Sequence, residues 1–159
     1  MEGCQEITIR DLIKSSLRMR PDRIIVGEVR GAEASDMMQC LNTGHDGSMS
    51  TGHANSAVDM LLRLETMILM AMDIPLEAIR RQIASGIDVI VHLGRLRDKS
   101  RRVLEIVEVT GYNEGGYQLH TLFEFEEKGE DADGRVQGAL EERGALVQTR
   151  KLVAAGLAL

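Results

Sequence analysis

The sequence predicts a mixed α/β fold that gives way to a C-terminal antiparallel β meander and a tail. Three observations predict it. Helix-spaced and strand-like apolar segments alternate through the first half of the chain. Three β-rich runs then follow, two of them separated by the turn cluster Gly111-Tyr-Asn-Glu-Gly-Gly116. After Gly129 the chain becomes acidic and turn-rich. The expected organisation is a core over residues 1–93, a hairpin or meander completing its sheet over 94–128, and an acidic tail with a short helix over 129–159.

Each element has a local reason. Thr8-Ile-Arg-Asp11 pairs an N-cap hydroxyl with an acid three residues on, and Ile9, Leu12, Ile13 and Leu17 recur at helical spacing until Pro21 ends the helix. Arg23-Ile-Ile-Val-Gly-Glu-Val29 is nearly all apolar and β-branched, which predicts a parallel-type strand buried on both faces. Residues 33–41 read as a helix stopped near Thr43-Gly44, and residues 47–51 as a small-residue strand. Asn55 or Ser56 caps a helix carrying Ala57, Met60, Leu61, Leu64 and Ile68. Asp73-Ile-Pro75 opens another, with Leu76, Ile79 and Ile83 inward. Residues 88–93, 102–110 and 117–125 read as strands; in the last, Tyr117, Leu119, Thr121, Phe123 and Phe125 share one half-buried face. A weak apolar helix closes the chain over 152–159.

Composition excludes several function classes. Of 159 residues, 43% are apolar and 28% charged, ordinary for a globular chain with a real core. Net charge is −6 and aromatics are 3%, so neither a basic coat nor stacking rings for nucleic acid are present, and no nucleic-acid partner is expected. No apolar run is long enough to span a bilayer, and the N-terminus lacks a secretory pattern. Cys4 and Cys40 form no CxxC pair, which argues against a disulfide framework or zinc site and fits a reducing cytoplasm. Nine methionines at helical positions read as packing. Residues 95–102 carry five bases against one acid and read as a hairpin rim; residues 124–142 carry eight acids against two bases and read as solvated surface.

Two features point to chemistry. Glu28 ends an apolar strand, where an unpaired carboxylate would be costly. An acid at the carboxyl end of such a strand can orient water for attack on a phosphoryl group or hold Mg²⁺ through water. The alternative is a carboxylate neutralised by Arg30 or Arg23. The second feature is residues 43–55, TGHDGSMSTGHAN, which set His45 and His53 on either side of a short strand among glycines and hydroxyls. Both imidazoles are therefore expected at one sheet edge beside Glu28. A metal hydrolase using His45, Asp46 and His53 is a weaker reading, because the spacing is not HExxH. His92 reads as a core or sheet-edge residue and His120 as solvated.

RMRPDRIIVGEVRG (residues 18–31) followed by AEASDMMQCLNTGHDGSMSTGHANS (residues 32–56) resembles the Walker B and His-box region of the bacterial type II/IV secretion ATPases, and most of all their CpaF-type branch serving tight-adherence (Flp) pili. The likeness continues through LLRLETMILMAMDIPLEAIRRQIASGIDVIVHLGRLRDKSRRVLEIVEVTGY. It implies a partial RecA-like (P-loop NTPase) core. It makes Glu28 the Walker B glutamate, positioning water and supporting Mg²⁺ through water, and His53 the catalytic His-box imidazole. Arg30, His45 and Thr51 become nucleotide-linked residues. It further implies ATP and Mg²⁺ as cofactors, a homo-hexamer, inner-membrane platform proteins as partners, and a cytoplasmic location peripheral to the inner membrane. Gly52 departs from the family, which commonly carries a bulkier aliphatic residue there; the expectation is a looser segment around His53. No GxxxxGK[ST] occurs, so the chain is expected not to hydrolyse ATP alone. The alternative function is a non-catalytic module that binds motor subunits or the membrane platform.

Overall fold

A computed structural model describes residues 6–157. Cys4 lies outside the described residues, as do the last two positions of the helix expected over 152–159. The chain forms two compact units, Met1–Gly86 and Ile87–Leu159.

The first unit contains α1 (Ile9–Leu17), β1 (Ile25–Val26), α2 (Glu33–Leu41), β2 (Met49–Ser50), α3 (Ala57–Leu69) and α4 (Leu76–Gly86). Thr8 and Asp11 close a full capping box on α1. Ser56, rather than Asn55, caps α3 by accepting from Asp59 N at 3.0 Å. Leu61, Leu64, Ile68, Ile79 and Ile83 are buried, so α3 and α4 present the inward stripes their periodicity predicts. Two charge pairs tie neighbouring helices: Arg10 to Asp36 joins α1 to α2. Arg80 grips Glu65 with both ends of its fork (3.0 and 3.3 Å), joining α4 to α3.

The expectation of a strand buried on both faces does not hold. Alternation sends Ile24 and Val26 into the core, at 8% and 7% exposure, and sends Ile25 outward at 66%. Its register partner Met49 is 56% exposed. The described helices cover one face of this strand pair, and the apolar run is therefore half-buried.

The second unit is a four-stranded antiparallel sheet in the order β3 (Val89–Arg95), β4 (Arg101–Asn113), β5 (Gly116–Glu130), β6 (Val136–Glu142), followed by α5 (Arg150–Ala154). β6 lies in the stretch expected to be tail. Its sequence carries little apolar alternation, but β5 runs on to Glu130 and gives it a partner. Ion pairs suit that pairing: Lys128 with Glu141, and Arg143 with Glu124 and Glu126. The basic rim is partly absorbed as well, since Arg97 pairs with Glu127 and Glu130. A register shift opposite Ile106 and Val107 leaves Leu122 without a direct partner on β4, and Leu122 is buried.

Two carboxylates fasten this unit internally. Asp98, in the β3–β4 turn, accepts from Ser100 N and Oγ at 2.9 and 2.7 Å and from Val136 N at 2.9 Å. Glu108, 2% exposed on β4, accepts from Val147 N at 2.8 Å and Gln148 N at 2.6 Å. The chain after β6 thus crosses the sheet, helped by His120 Nε2 at 3.0 Å from Ala145 O. Gly144 is required on that path: a Cβ there would stand 2.6 Å from His120 Nε2 and 3.1 Å from Thr121 O.

Hydrogen bonds from Ser100 and Val136 hold the Asp98 carboxyl down to about 2, from an ordinary 3.8. A depressed folded-state pKa stabilises above the unfolded pKa and is lost as pH falls through the folded value, so the Asp98 contribution is whole above about pH 4 and fades towards about pH 2. Carboxyl NMR titration should find that midpoint, and Asp98→Asn should speed amide exchange at Ser100 and Val136. In the first unit, Arg80→Ala leaves the Glu65 carboxylate buried without its fork and should cost about 3 kcal/mol in urea unfolding.

Candidate functional site

The site is built by a short parallel pairing. β1 and β2 match Ile25 with Met49 and Val26 with Ser50. Bonds on either side lengthen the contact beyond the two ladder positions. Ile24 N donates to Ser48 Oγ at 2.8 Å, and Met49 N donates to Ile24 O at 3.1 Å. At the other end, Thr51 Oγ1 donates to Gly27 O at 2.6 Å, and Val29 N donates to Thr51 O at 3.0 Å. Residues 27–29 are thereby stitched to Thr51. Glu28 and His53, each just past its strand, emerge at the same carboxyl end, where open α/β sheets place ligands.

There, Arg30 Nη2 stands 2.6 Å from Glu28 Oε2, and His53 Nε2 stands 2.9 Å from Glu28 Oε1. The Glu28 side chain is 24% exposed; those of Arg30 and His53 are 73% and 79% exposed. Oε1 is itself shielded, yet the imidazole is not aligned to form a true hydrogen bond with it. Oε1 is thus closed off from solvent beside the imidazole, without a directed donor. The Glu28 pKa is lowered, foremost by the Arg30 hydrogen bond; burial opposes, and the charges of Arg30, His53 and Arg63 assist. The same bond raises the Arg30 guanidinium.

Glu33 fixes the turn out of the site. Its Oε1 accepts from Arg30 N at 2.7 Å and Gly31 N at 3.1 Å, bracing the entry to α2. Burial pushes its pKa up, but these backbone donors outweigh it and the net shift is downward. Arg63, on α3, was not anticipated from the sequence. It is the one base in that helix, and it lies immediately downstream of the histidine segment, which is the signal that could have found it.

The other predicted residues fall as follows. Thr51 uses its hydroxyl on Gly27 O. His45 does not join His53 beside Glu28: its Nδ1 lies 3.3 Å from Cys40 O, and it precedes β2, at the end of the strand pair opposite Glu28. The pairing is parallel, so residues before and after β2 leave at opposite ends. His92 lies 3.3 Å from Glu105 across β3 and β4. His120 tethers the segment that follows β6 through Ala145 O.

Among the described residues no group of three or more His, Cys, Asp or Glu is placed to hold a metal directly. The Glu28 carboxylate, whose side chain is 24% exposed, can instead accept from a water, including one bound to a cation.

Known proteins resemble this chain in sequence and fold. The family model described as Type II/IV secretion system protein matches residues 1–145. The conjugal transfer protein TrbB of Rhizobium radiobacter is 40% identical over 116 residues, covering 73% of this chain and 35% of the relative. The solved VirB11 ATPase of the Brucella suis type IV secretion system, in complex with sulphate, superposes with a TM-score of 0.61 at 36% identity, over 64% of this chain and 32% of that one. The Legionella pneumophila ATPase DotB superposes with a TM-score of 0.51 at 25% identity, over 64% of this chain and 28% of that one. The chain spans about a third of the length of the curated relatives it matches.

The charge order within the site is measurable without a ligand. Arg30→Gln should raise the Glu28 carboxyl pKa towards its ordinary value, and His53→Asn should raise it less, in a ¹³C carboxyl titration. An equal or larger effect from His53 would reverse the ranking of the two partners.

Proposed function

The chain belongs to the type II/IV secretion system protein family, and from that premise we propose that it forms part of an ATP-hydrolysing motor subunit that powers type II/IV secretion or Flp pilus assembly. The observation that carries the proposal is the Glu28–His53 contact at the carboxyl end of the β1–β2 pair, with Arg30 on the second carboxylate oxygen.

In this reading Glu28, whose side chain is 24% exposed, holds and orients the attacking water. Its lowered pKa keeps it ionised, ready to accept a hydrogen bond from that water. Arg30 supplies positive charge, and His53 a ring nitrogen, for the oxygens of a transferring phosphoryl group, which develops charge on those atoms. Thr51, bound to Gly27, keeps the two strand ends in register, and His45 braces the approach to β2. Glu28 would hold Mg²⁺ through a water, and the chemistry supplied there would be neutralisation of phosphate charge. A solved relative in complex with sulphate fits an oxyanion-binding family, since sulphate and a phosphoryl group share a tetrahedral shape.

The sequence has no GxxxxGK[ST], so the backbone cradle and lysine for the triphosphate are proposed to come from residues outside it. A hexameric ring, contact with inner-membrane platform proteins and a cytoplasmic setting complete the reading. No described helix is long and apolar enough to cross a membrane.

The decisive assay joins a P-loop-bearing segment to this chain and measures Mg²⁺-dependent phosphate release. Hydrolysis should appear, and Glu28→Gln should lower it by about a hundredfold or more, the scale of a lost acid–base residue. A Gln variant with full turnover would remove Glu28 from the mechanism.

A further inference from the structure

Gly52 sits between a fixed residue and the site imidazole. Thr51 is tied on both sides, to Gly27 O and Val29 N. His53 reaches Glu28. Gly52, which links them, has the greatest intrinsic backbone freedom. Its φ lies outside the left-handed region, so conformation does not demand glycine here; the space a side chain would take is instead filled by the flexible end of Met60. A Cβ at Gly52 would stand 2.5 Å from Met60 Cε and 2.9 Å from Met60 Sδ, with Val29 O at 3.8 Å.

Met60 belongs to the first turn of α3, whose N-terminus is fixed by Ser56 and by buried Ala57. Helical side chains lean towards the helix N-terminus, which aims the thioether back over residues 51–53. A long, unbranched side chain can fill such an irregular space. The missing side chain at position 52 is thus replaced from α3, and the looseness expected from the glycine is offset.

We propose that Met60 is a positioning residue for His53: its thioether occupies the side-chain space of Gly52 and clamps the 51–53 segment to α3, holding the imidazole against Glu28. What His53 then does rests on the function proposed above; the clamp itself is tested without nucleotide, so the two can fail separately.

The test uses the 159-residue chain and two NMR readouts at a pH where imidazoles are neutral. One is amide exchange at Val29, whose N–H is bonded to Thr51 O. The other is the change in the His53 ring signals produced by Glu28→Gln, which a purely structural role for Met60 would not move. In Met60→Ala, Val29 exchange should rise about tenfold through easier local opening, and the His53 response to Glu28→Gln should vanish. Met60→Leu should keep both near wild type. Adding Gly52→Ala to Met60→Ala should recover part of the protection by refilling the space from the other side. A folded Met60→Ala in which His53 still responds fully to Glu28→Gln overturns the proposal. Should Met60→Ala not fold, Met60→Val, apolar but too short to reach Gly52, takes its place: loss of the His53 response supports the clamp, and a full response overturns it.

Discussion

The site depends on a parallel strand pair of only two matched positions. So short a ladder would be weak, and side chains lengthen it: Ser48 at one end and Thr51 at the other each hold a main-chain group of the facing segment. These bonds decide which residues leave the sheet together. Glu28 and His53 leave at the carboxyl end, and their chemistry follows from that proximity. His45 sits on the same stretch of chain but leaves at the opposite end, which separates it from the carboxylate.

Stability and function draw on different charges. The pairs Arg80–Glu65 and Arg10–Asp36 have well-covered carboxylates and bridge helices. Their loss would strand an acid in the core. The charges around Glu28 are mostly solvated and contribute little to folding. An exposed guanidinium and an exposed imidazole instead both lean on one acid whose side chain is 24% exposed. The β1–β2 segment also leaves Ile25 and Met49 bare on its outer side, so the same strands that organise the chemistry carry an apolar surface.

Much of this was legible in the sequence. Helix caps at Thr8 and Ser56, helical apolar spacing, the β-branched strand and the Gly-rich turn at residues 111–116 each act locally, and each marks its element. The type II/IV secretion family and the mixed α/β class with its antiparallel sheet were legible for the same reason, and the family model and solved relatives agree. What was not legible is non-local. Strand β6 exists because β5 extends far enough to pair with it, and its own residues alternate weakly. Burial on one face rather than two depends on what packs outside the strand, which Arg23-Ile-Ile-Val cannot disclose. The divergence of His45 from His53 follows from a parallel register, and the charge of Arg63 bears on Glu28 from a separate helix, α3. The Met60–Gly52 contact spans eight positions and has no periodic signature.

Glu108 has a temporal consequence. A carboxylate on β4 is sealed by amides 39 and 40 positions later. During synthesis the strands emerge in order, and the first three can meet before residues 147 and 148 exist. Until then the nascent meander carries an open anionic socket that must stay hydrated. The segment carrying residues 147 and 148 is thus the seal of this carboxylate, and without it Glu108 would have to be hydrated.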